Sequence, residues 1–189
     1  LASTIGAESY VTNNVIGSTT TSNSINAATS ATGTQQLTGI SISAGAAHVR
    51  TIVSGNTIAN LNNNGTSTSS GTQFIRGILI NSGVVTVENN TVYNLTTTTL
   101  NSSTSFPSMA ITGIAVNSTA LPQSGLSGHI VRGNVVHSLR SLNTATASAS
   151  HWVLGIGVNS STSGGIALVE KNYVHSLTLA ATPSSTSVA

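Results

Sequence analysis

Apolar and polar residues alternate with a period of two in short β-branched phrases, and one such phrase recurs five times. Each copy reads Val, two variable residues, Asn, one variable residue, then Ile or Val; the copies begin at Val11, Val53, Val87, Val131 and Val169. A second phrase, Gly-Ile-x-Ile/Val, precedes the last four copies and begins at Gly39, Gly77, Gly113 and Gly155. This alternation is typical of strands, and no apolar period of 3.6 persists for three turns, so helix is not expected.

The asparagines of the five phrases are spaced 42, 34, 44 and 38 residues apart, and they are Asn14, Asn56, Asn90, Asn134 and Asn172. The Val three residues before each Asn and the aliphatic residue two after it cannot share a face of an unbroken strand. We therefore predict a corner at the Asn itself, which tolerates left-handed backbone. Short strands separated by corners bury their apolar faces only when successive units stack.

The repeat predicts an all-β fold, a right-handed parallel β-helix (solenoid) of about five coils, with the hand taken from the usual rule for parallel crossovers. We expect one solenoid domain over residues 1–189. Its units are a degenerate first coil, 1–38, and the repeats 39–76, 77–112, 113–154 and 155–189. Ser/Thr-rich insertions should project from one edge, at 19–38, 62–74, 96–111, 140–153 and 178–189.

Stacked units place equivalent residues in columns. Three columns should be buried: the Val of each phrase, the Ile or Val two residues after each Asn, and the Ile of the Gly-Ile phrases. The five asparagines should form a structural amide ladder in which each side chain bonds to the next coil or to the corner backbone. A polar ligand site at these amides is the alternative, and the regular repetition favours the ladder.

Charged residues are sparse and partly stacked. Lys and Arg number 5 and the acids 3, all Glu, giving a formal net charge of +2. A charge ladder is predicted from Glu88, Arg132 and Glu170, which occupy equivalent positions in consecutive units. Glu and Arg could serve acid–base catalysis, but we favour an exposed ladder whose pairs each contribute about 0–1 kcal/mol. Without clustered Lys and Arg, nucleic acid is not expected as a partner.

Residue types needed for most site chemistry are missing. The chain has no Cys and no Asp, which removes disulfides, thiolate chemistry, most calcium cages and paired-Asp hydrolysis. Tyr93, His137 and His175 share one column and could hold a metal, but no carboxylate or sulfur ligand is in register, so we expect them to stack on an outer face. We therefore predict no catalytic, metal or cofactor-binding residues. No apolar run is long enough to span a membrane.

The Gly-Ile-x-Val/Ile and Val-x-x-Asn-x-Val-x-x-Leu phrases, over about residues 10–179, resemble those of right-handed parallel β-helix repeat proteins. That group includes pectate-lyase-like enzymes and many large secreted bacterial surface proteins. Members that are lyases typically use Asp-held calcium and an Arg base, and polygalacturonase-like hydrolases use Asp clusters. This chain has no Asp, so no catalytic residue can be transferred to it, and the resemblance implies fold rather than chemistry.

The leading expectation for function is a non-enzymatic extracellular structural protein, at the cell surface or in a filament, sheath or surface layer, whose partners are other copies of itself stacked end to end. The chain starts at Leu1 and shows no capping unit, so we expect a slice of a longer solenoid or ends covered by other copies. The alternatives are a carbohydrate-binding or adhesin segment, for which the Tyr, Trp and Phe residues do not share one column, and a polysaccharide lyase or hydrolase. Glycans are also expected on the Ser/Thr-rich insertions.

Overall fold

The computed structural model describes most of the chain; the described ranges are 7–27, 35–44, 50–65, 73–99, 101, 103, 105–122, 127–142, 151–159, 167–180 and 186–188. Within these ranges all regular structure is β. The strands are β1 (Ser9–Thr12), β2 (Val15–Ile16), β3 (Ile25–Ala27), β4 (Gln36–Ser43), β5 (Thr51–Ser54), β6 (Thr57–Asn63), β7 (Phe74–Ser82), β8 (Val85–Glu88), β9 (Thr91–Thr97), β10 (Ile111–Val116), β11 (Ile130–Arg132), β12 (Val135–Ser141), β13 (His151–Val158), β14 (Leu168–Glu170), β15 (Tyr173–Leu179) and β16 (Thr186–Val188).

These strands form three parallel sheets that wind into a β-solenoid. Sheet A has the order β1-β5-β8-β11-β14, sheet B the order β2-β6-β9-β12-β15 with β3 also on β6, and sheet C the order β4-β7-β10-β13-β16. Each turn of the chain contributes to all three sheets in the order A, B, C. Three inner turns, β5–β7, β8–β10 and β11–β13, have neighbours on both sides, and the strands before and after them form two terminal turns.

The predicted apolar columns line the interior of the inner turns. Val53, Val87 and Val131 are paired in register in sheet A and are fully buried. Equivalent residues in sheets B and C are also fully buried; they are Ile58, Val92, Val136, Ile78 and Ile114. Of the other two members of the sheet C column, Ile40 in β4 is 6% exposed and Ile156 in β13 is only partly buried. At about 1.5–3 kcal/mol for each buried aliphatic side chain, these columns are the main favourable term in folding.

The ends of the columns are not buried, which corrects the expectation that every member would be. Val169 is 51% exposed and Val174 is 38% exposed, because in the described chain no strand covers β14 and β15 on their outer side. At the opposite end Val11 and Ile16 are only partly buried. The solenoid core therefore continues to both ends as exposed apolar surface.

The corner between sheets A and B begins one residue earlier than predicted. Left-handed backbone is found at the residue before each ladder asparagine, and these residues are Asn13, Gly55, Asn89, Gly133 and Lys171. Asn and Gly adopt this conformation at the lowest cost, which explains their place in four of the five copies. The ladder asparagine itself has a negative φ and immediately precedes the sheet B strand.

A second left-handed residue lies within each long sheet B strand of the last four turns. These residues are Asn60, Asn94, Ser138 and Ser176, each four positions after the ladder asparagine. The local reversal lets residues three apart, such as Ile58 and Leu61, both face the core, where an unbroken strand would put them on opposite faces. It also places polar side chains on the outer face of sheet B.

The glycines that open the Gly-Ile phrases allow sheet C to approach sheet B closely. A Cβ at Gly77 would lie 2.4 Å from Cγ1 of Val92 and 2.5 Å from the carbonyl oxygen of Gly113. Gly113 has the same environment, with Val136 Cγ1 at 2.4 Å. Only a residue without a side chain fits at these positions.

Chain segments that connect the sheets leave the solenoid at two corners. The predicted Ser/Thr-rich insertions connect sheet B to sheet C, but they are shorter than predicted: strands reach one to three residues into them, β3 lies within 19–38 and β16 lies within 178–189. A second set connects sheet C to sheet A, and its longest member lies between Val116 and Ile130. Only the first of these corners was predicted from the sequence.

Candidate functional site

The five phrase asparagines form a continuous hydrogen-bonded ladder at the A–B corner. Nδ2 of each donates to Oδ1 of the asparagine in the next turn, at 2.9 Å from Asn14 to Asn56, 2.9 Å from Asn56 to Asn90, 3.0 Å from Asn90 to Asn134 and 2.9 Å from Asn134 to Asn172. The backbone N–H of each donor residue reaches the same Oδ1 at 2.9–3.0 Å. Each Oδ1 in the ladder beyond the first therefore accepts two bonds.

A second Nδ2 bond links the inner ladder asparagines to the preceding turn, so that each of them joins three turns. Nδ2 of Asn90 also donates to the carbonyl of Val53 in the preceding turn at 2.9 Å. Asn56, Asn134 and Asn172 make the equivalent bond. Because Asn90 and Asn134 are fully buried and fully bonded, they have no polar group left for a ligand.

The ladder is directional. Every bond between two ladder asparagines runs from a donor in the earlier turn to an Oδ1 in the later turn. At one end Asn172 retains a backbone N–H and one Nδ2 hydrogen without an acceptor in the described chain, and at the other end Oδ1 of Asn14 receives no donor there. One end of the solenoid thus presents donors and the other an acceptor.

The charge ladder is in register, but its described ion pairing is confined to one rung. Arg132 is aligned with Glu88 on one side and Glu170 on the other. Nε of Arg132 lies 2.7 Å from Oε2 of Glu88, and the side chains are 48% and 20% exposed. Within the described residues Glu170 forms no ion pair, so the expected three-member ladder is one partly exposed pair. Its position on an open strand surface provides no pocket for a substrate.

The outer face of sheet B carries a stack of rings, which we call the aromatic strip: Tyr93, His137, His175 and Tyr173. Tyr93 and His137 stack with centroids 5.1 Å apart, and His137 and His175 stack at 4.8 Å, with interplanar angles of 6° and 7°. Tyr173 lies against His175 at 4.7 Å in a tilted arrangement. The stack of Tyr93, His137 and His175 on an outer face was predicted from the sequence and is confirmed. The sequence analysis missed that Tyr173, two residues before His175, joins them.

Ring orientation determines what the aromatic strip can bind. Since the rings stack along the solenoid axis, they present edges rather than faces to solvent. Nδ1 of His137 and of His175 lie 3.0 Å and 2.9 Å from the hydroxyls of Ser138 and Ser176, which leaves the Nε2 atoms as the outward groups. Burial, and to a lesser extent the charge of His175, lower the pKa of His137. The nitrogen lone pairs of an imidazole lie in the plane of its ring, so two nearly parallel rings stacked 4.8 Å apart do not direct their nitrogens at one metal ion about 2.0–2.1 Å from each.

Beside the aromatic strip lies a polar groove with a volume of about 370 Å³. We call it the polar groove, and its lining residues are Ser22, Asn23, Asn60, Asn94, Thr96, Arg140 and Leu142. The segment around Ser18 bounds one side: Asn60 Nδ2 donates to the carbonyl of Ser18 at 2.7 Å, and Tyr93 donates to that of Thr19 at 3.2 Å. Asn94 Nδ2 donates to Oδ1 of Asn60 at 3.0 Å along the floor.

Two buried residues that were not predicted from the sequence, Arg50 and His129, lie at the C–A corner. Arg50 donates to the hydroxyl of Thr86 at 2.8 Å and to both the carbonyl and the hydroxyl of Ser127. His129 accepts from the N–H of Val85 through Nδ1 at 3.3 Å and donates through Nε2 to the carbonyl of Ser118 at 2.9 Å. Its ring is therefore neutral. Burial, chiefly, with a smaller contribution from Arg50, lowers the pKa of His129.

A second buried cation, Arg76, also has structural contacts. Its guanidinium carbon lies 3.3 Å from the centroid of the Phe74 ring, and its Nε donates to the carbonyl of Pro107 at 2.9 Å. Burial lowers the pKa of Arg76 to about 10. Arg50 and Arg76 thus fix loops to sheets A and C, and both of the nitrogens that a catalytic histidine would use are already bonded in His129.

Within the described ranges no three His, Cys, Asp or Glu side chains gather into a metal site. The same ranges contain no helix that is long and apolar enough to cross a membrane. His48 and the side chain of His151 lie outside the described residues.

Comparison with protein-family models, with curated proteins and with solved structures found no match to this chain.

Proposed function

We propose that the protein is a non-enzymatic structural solenoid of the right-handed β-helix type, located outside the cell or on its surface, whose turns continue end to end into a filament, sheath or surface layer. The observation that carries this proposal is the complementarity of the two ends. One end presents the exposed core residues Val169 and Val174 and the donors of Asn172. The other presents the partly buried Val11 and Ile16 and the acceptor of Asn14.

A joint between two copies would repeat the contacts found between turns. Asn172 of one copy would donate twice to Oδ1 of Asn14 in the next, just as Asn134 donates to Asn172. The side chain of Asn14, which bonds to the carbonyl of Thr12 at 3.1 Å, would turn to the carbonyl of Val169. Such a contact is heterologous and does not close on itself, so it generates a filament rather than a dimer.

The distribution of charge supports a structural role outside the cell. Of the described basic side chains, Arg50 and Arg76 are buried against loops and Arg132 pairs with Glu88. The chain has only 5 Lys and Arg and 3 Glu, so the stability of the fold should change little with external salt.

The test is assembly of the purified chain, followed by light scattering and electron microscopy as concentration rises. We expect elongated particles that grow with concentration. The double variant Val169→Lys/Val174→Lys puts two ammonium groups on the exposed core edge and should give only dispersed particles. Leu121→Lys, which charges an apolar side chain that is 52% exposed away from both ends, is the control and should still assemble. Dispersed wild-type particles, or equal assembly of all three proteins, would contradict the proposal.

A further inference from the structure

The polar groove on the outer face of sheet B has the dimensions of a ligand site. Its volume of about 370 Å³ lies within the range of about 300–1,000 Å³ that is typical of small-molecule sites. It draws on four successive turns, from Asn23 through Asn60 and Asn94 to Arg140. At about 4.8 Å for each strand spacing, the groove extends about 14 Å along the solenoid axis.

The groove lining favours a ligand with many hydroxyl groups. Asparagine amides both donate and accept, and the hydroxyls of Ser22 and Thr96 do the same. The amide of Asn94 is exposed, and its bond to Asn60 uses only one of its hydrogens, so its oxygen and second hydrogen face the groove region. An alternating series of donors and acceptors along an extended groove suits a sugar chain better than an apolar or a compact ligand.

Arg140 favours a ligand that carries negative charge. It is exposed, lines the groove, and has no carboxylate within ion-pair distance in the described chain. A guanidinium binds a carboxylate or sulfate group through two parallel N–H bonds. This paired geometry selects planar or forked oxyanions more strongly than the single ammonium of a lysine does. The three glutamates are not in this sheet: Glu88 and Glu170 lie in sheet A, and Glu8 lies just before β1.

The adjacent aromatic strip extends the same face. His137 and Arg140 both project outward from β12, and the outward Nε2 atoms of His137 and His175 are spaced by one turn. Because the rings present edges, they contribute hydrogen bonds to hydroxyls rather than a stacking platform. The strip therefore adds two polar positions beside the groove.

We propose that the outer face of sheet B binds an acidic oligosaccharide, whose carboxylate or sulfate pairs with Arg140 while its hydroxyls bond to Asn94, Asn23 and Thr96 in the polar groove. This site is separate from the solenoid ends and does not depend on their stacking.

The test uses three hexasaccharides titrated into the full chain by calorimetry: an alginate-derived uronate, a carrageenan-derived sulfate ester and neutral cellohexaose. We expect at least one acidic probe to bind at least tenfold more tightly than the neutral one. Binding of both acids, or of one alone, supports the proposal and identifies the anionic group. Equal binding of the neutral probe, or no binding of any probe, would overturn it.

Two variants and a matched control locate the site. Arg140→Gln should weaken acidic-probe binding at least tenfold. Asn94→Gly, which keeps the left-handed backbone at φ 53° and removes the amide, should weaken it several-fold. Arg132→Gln removes the same charge from sheet A and should change binding less than twofold. Equal losses for Arg140→Gln and Arg132→Gln would show general charge attraction and overturn the assignment. Repeating the titration in the Val169→Lys/Val174→Lys background separates binding from assembly.

Discussion

The charge ladder lies two residues before the amide ladder on the last three turns, and the two ladders differ in how completely they are bonded. The ladder of asparagines is bonded in every rung, and its inner members are buried. The charge ladder forms one ion pair, between Arg132 and Glu88, on a partly exposed surface. A neutral amide can donate and accept at once and so repeats indefinitely, whereas a column of charges must alternate in sign at each turn.

The difference predicts very different costs of substitution. Asn90→Ala should have the largest effect, because it leaves the N–H and Nδ2 of Asn56 without their acceptor within the buried corner. It also removes the side-chain donor to Oδ1 of Asn134, which keeps only the backbone N–H of residue 90. We expect a loss of about 3–5 kcal/mol in the free energy of unfolding, measured by urea denaturation.

Asn14→Ala is the matched control for Asn90→Ala, because Asn14 occupies the same column on an exposed terminal turn. It removes one side-chain bond to Asn56 and should cost about 1 kcal/mol. If the two variants lose similar free energies of unfolding, the burial of Asn90 adds little to the stability that its ladder bonds provide.

A second prediction concerns buried polar groups and acid. Because burial lowers the pKa of His129, the folded protein resists the proton that the unfolded chain accepts as the pH falls through about 6.5. The unfolded state then binds more protons than the folded state, so stability should fall between pH 7.5 and pH 5.5 and recover when the pH is raised. Urea midpoints across this range measure the effect.

Two substitutions test whether His129 causes the pH dependence of stability. His129→Gln preserves one acceptor for Val85 N–H and one donor for the Ser118 carbonyl without a titrating ring, and it should flatten the slope. His137→Gln should flatten it less, because the ring of His137 is only partly buried. An unchanged slope in His129→Gln would show that the acid sensitivity has another source.

The smallest effect is expected at the charge ladder. Glu88→Gln removes the partner of Arg132 and should change the free energy of unfolding by about 0–1 kcal/mol, since the pair is partly solvated. The change should shrink further in 0.5 M salt. A loss above 2 kcal/mol that persists in salt would place the charge ladder beside the amide ladder in importance.

Repetition made the core and the ladder predictable. Five copies of one phrase identify equivalent residues, and equivalence alone places Val53, Val87 and Val131 over one another once the turns stack. The position of the left-handed residue was misassigned, although the sequence contains its signal: Asn or Gly immediately before the ladder asparagine in four copies. The prediction relied on the general tolerance of Asn for left-handed backbone and did not use the Asn or Gly that precedes the ladder asparagine in four copies.

Other features depend on contacts that no repeat encodes. Arg50 bonds to Ser127, 77 residues away, across connecting segments of unequal length. The polar groove exists because the segment around Ser18 folds over Asn60, and that contact occurs in one turn only. Because each of these contacts occurs once in the described chain, no repeated sequence pattern predicts it.

The unequal spacing of the ladder asparagines, from 34 to 44 residues, has a practical consequence. The register of the strands is the same on either side of a short and a long connection, so the scaffold absorbs ten residues at its corners without a shift of pairing. Sequence length and three-dimensional periodicity are thereby uncoupled. The same backbone could carry grafted peptide epitopes of different sizes at its C–A corner, displayed at a fixed pitch along the axis.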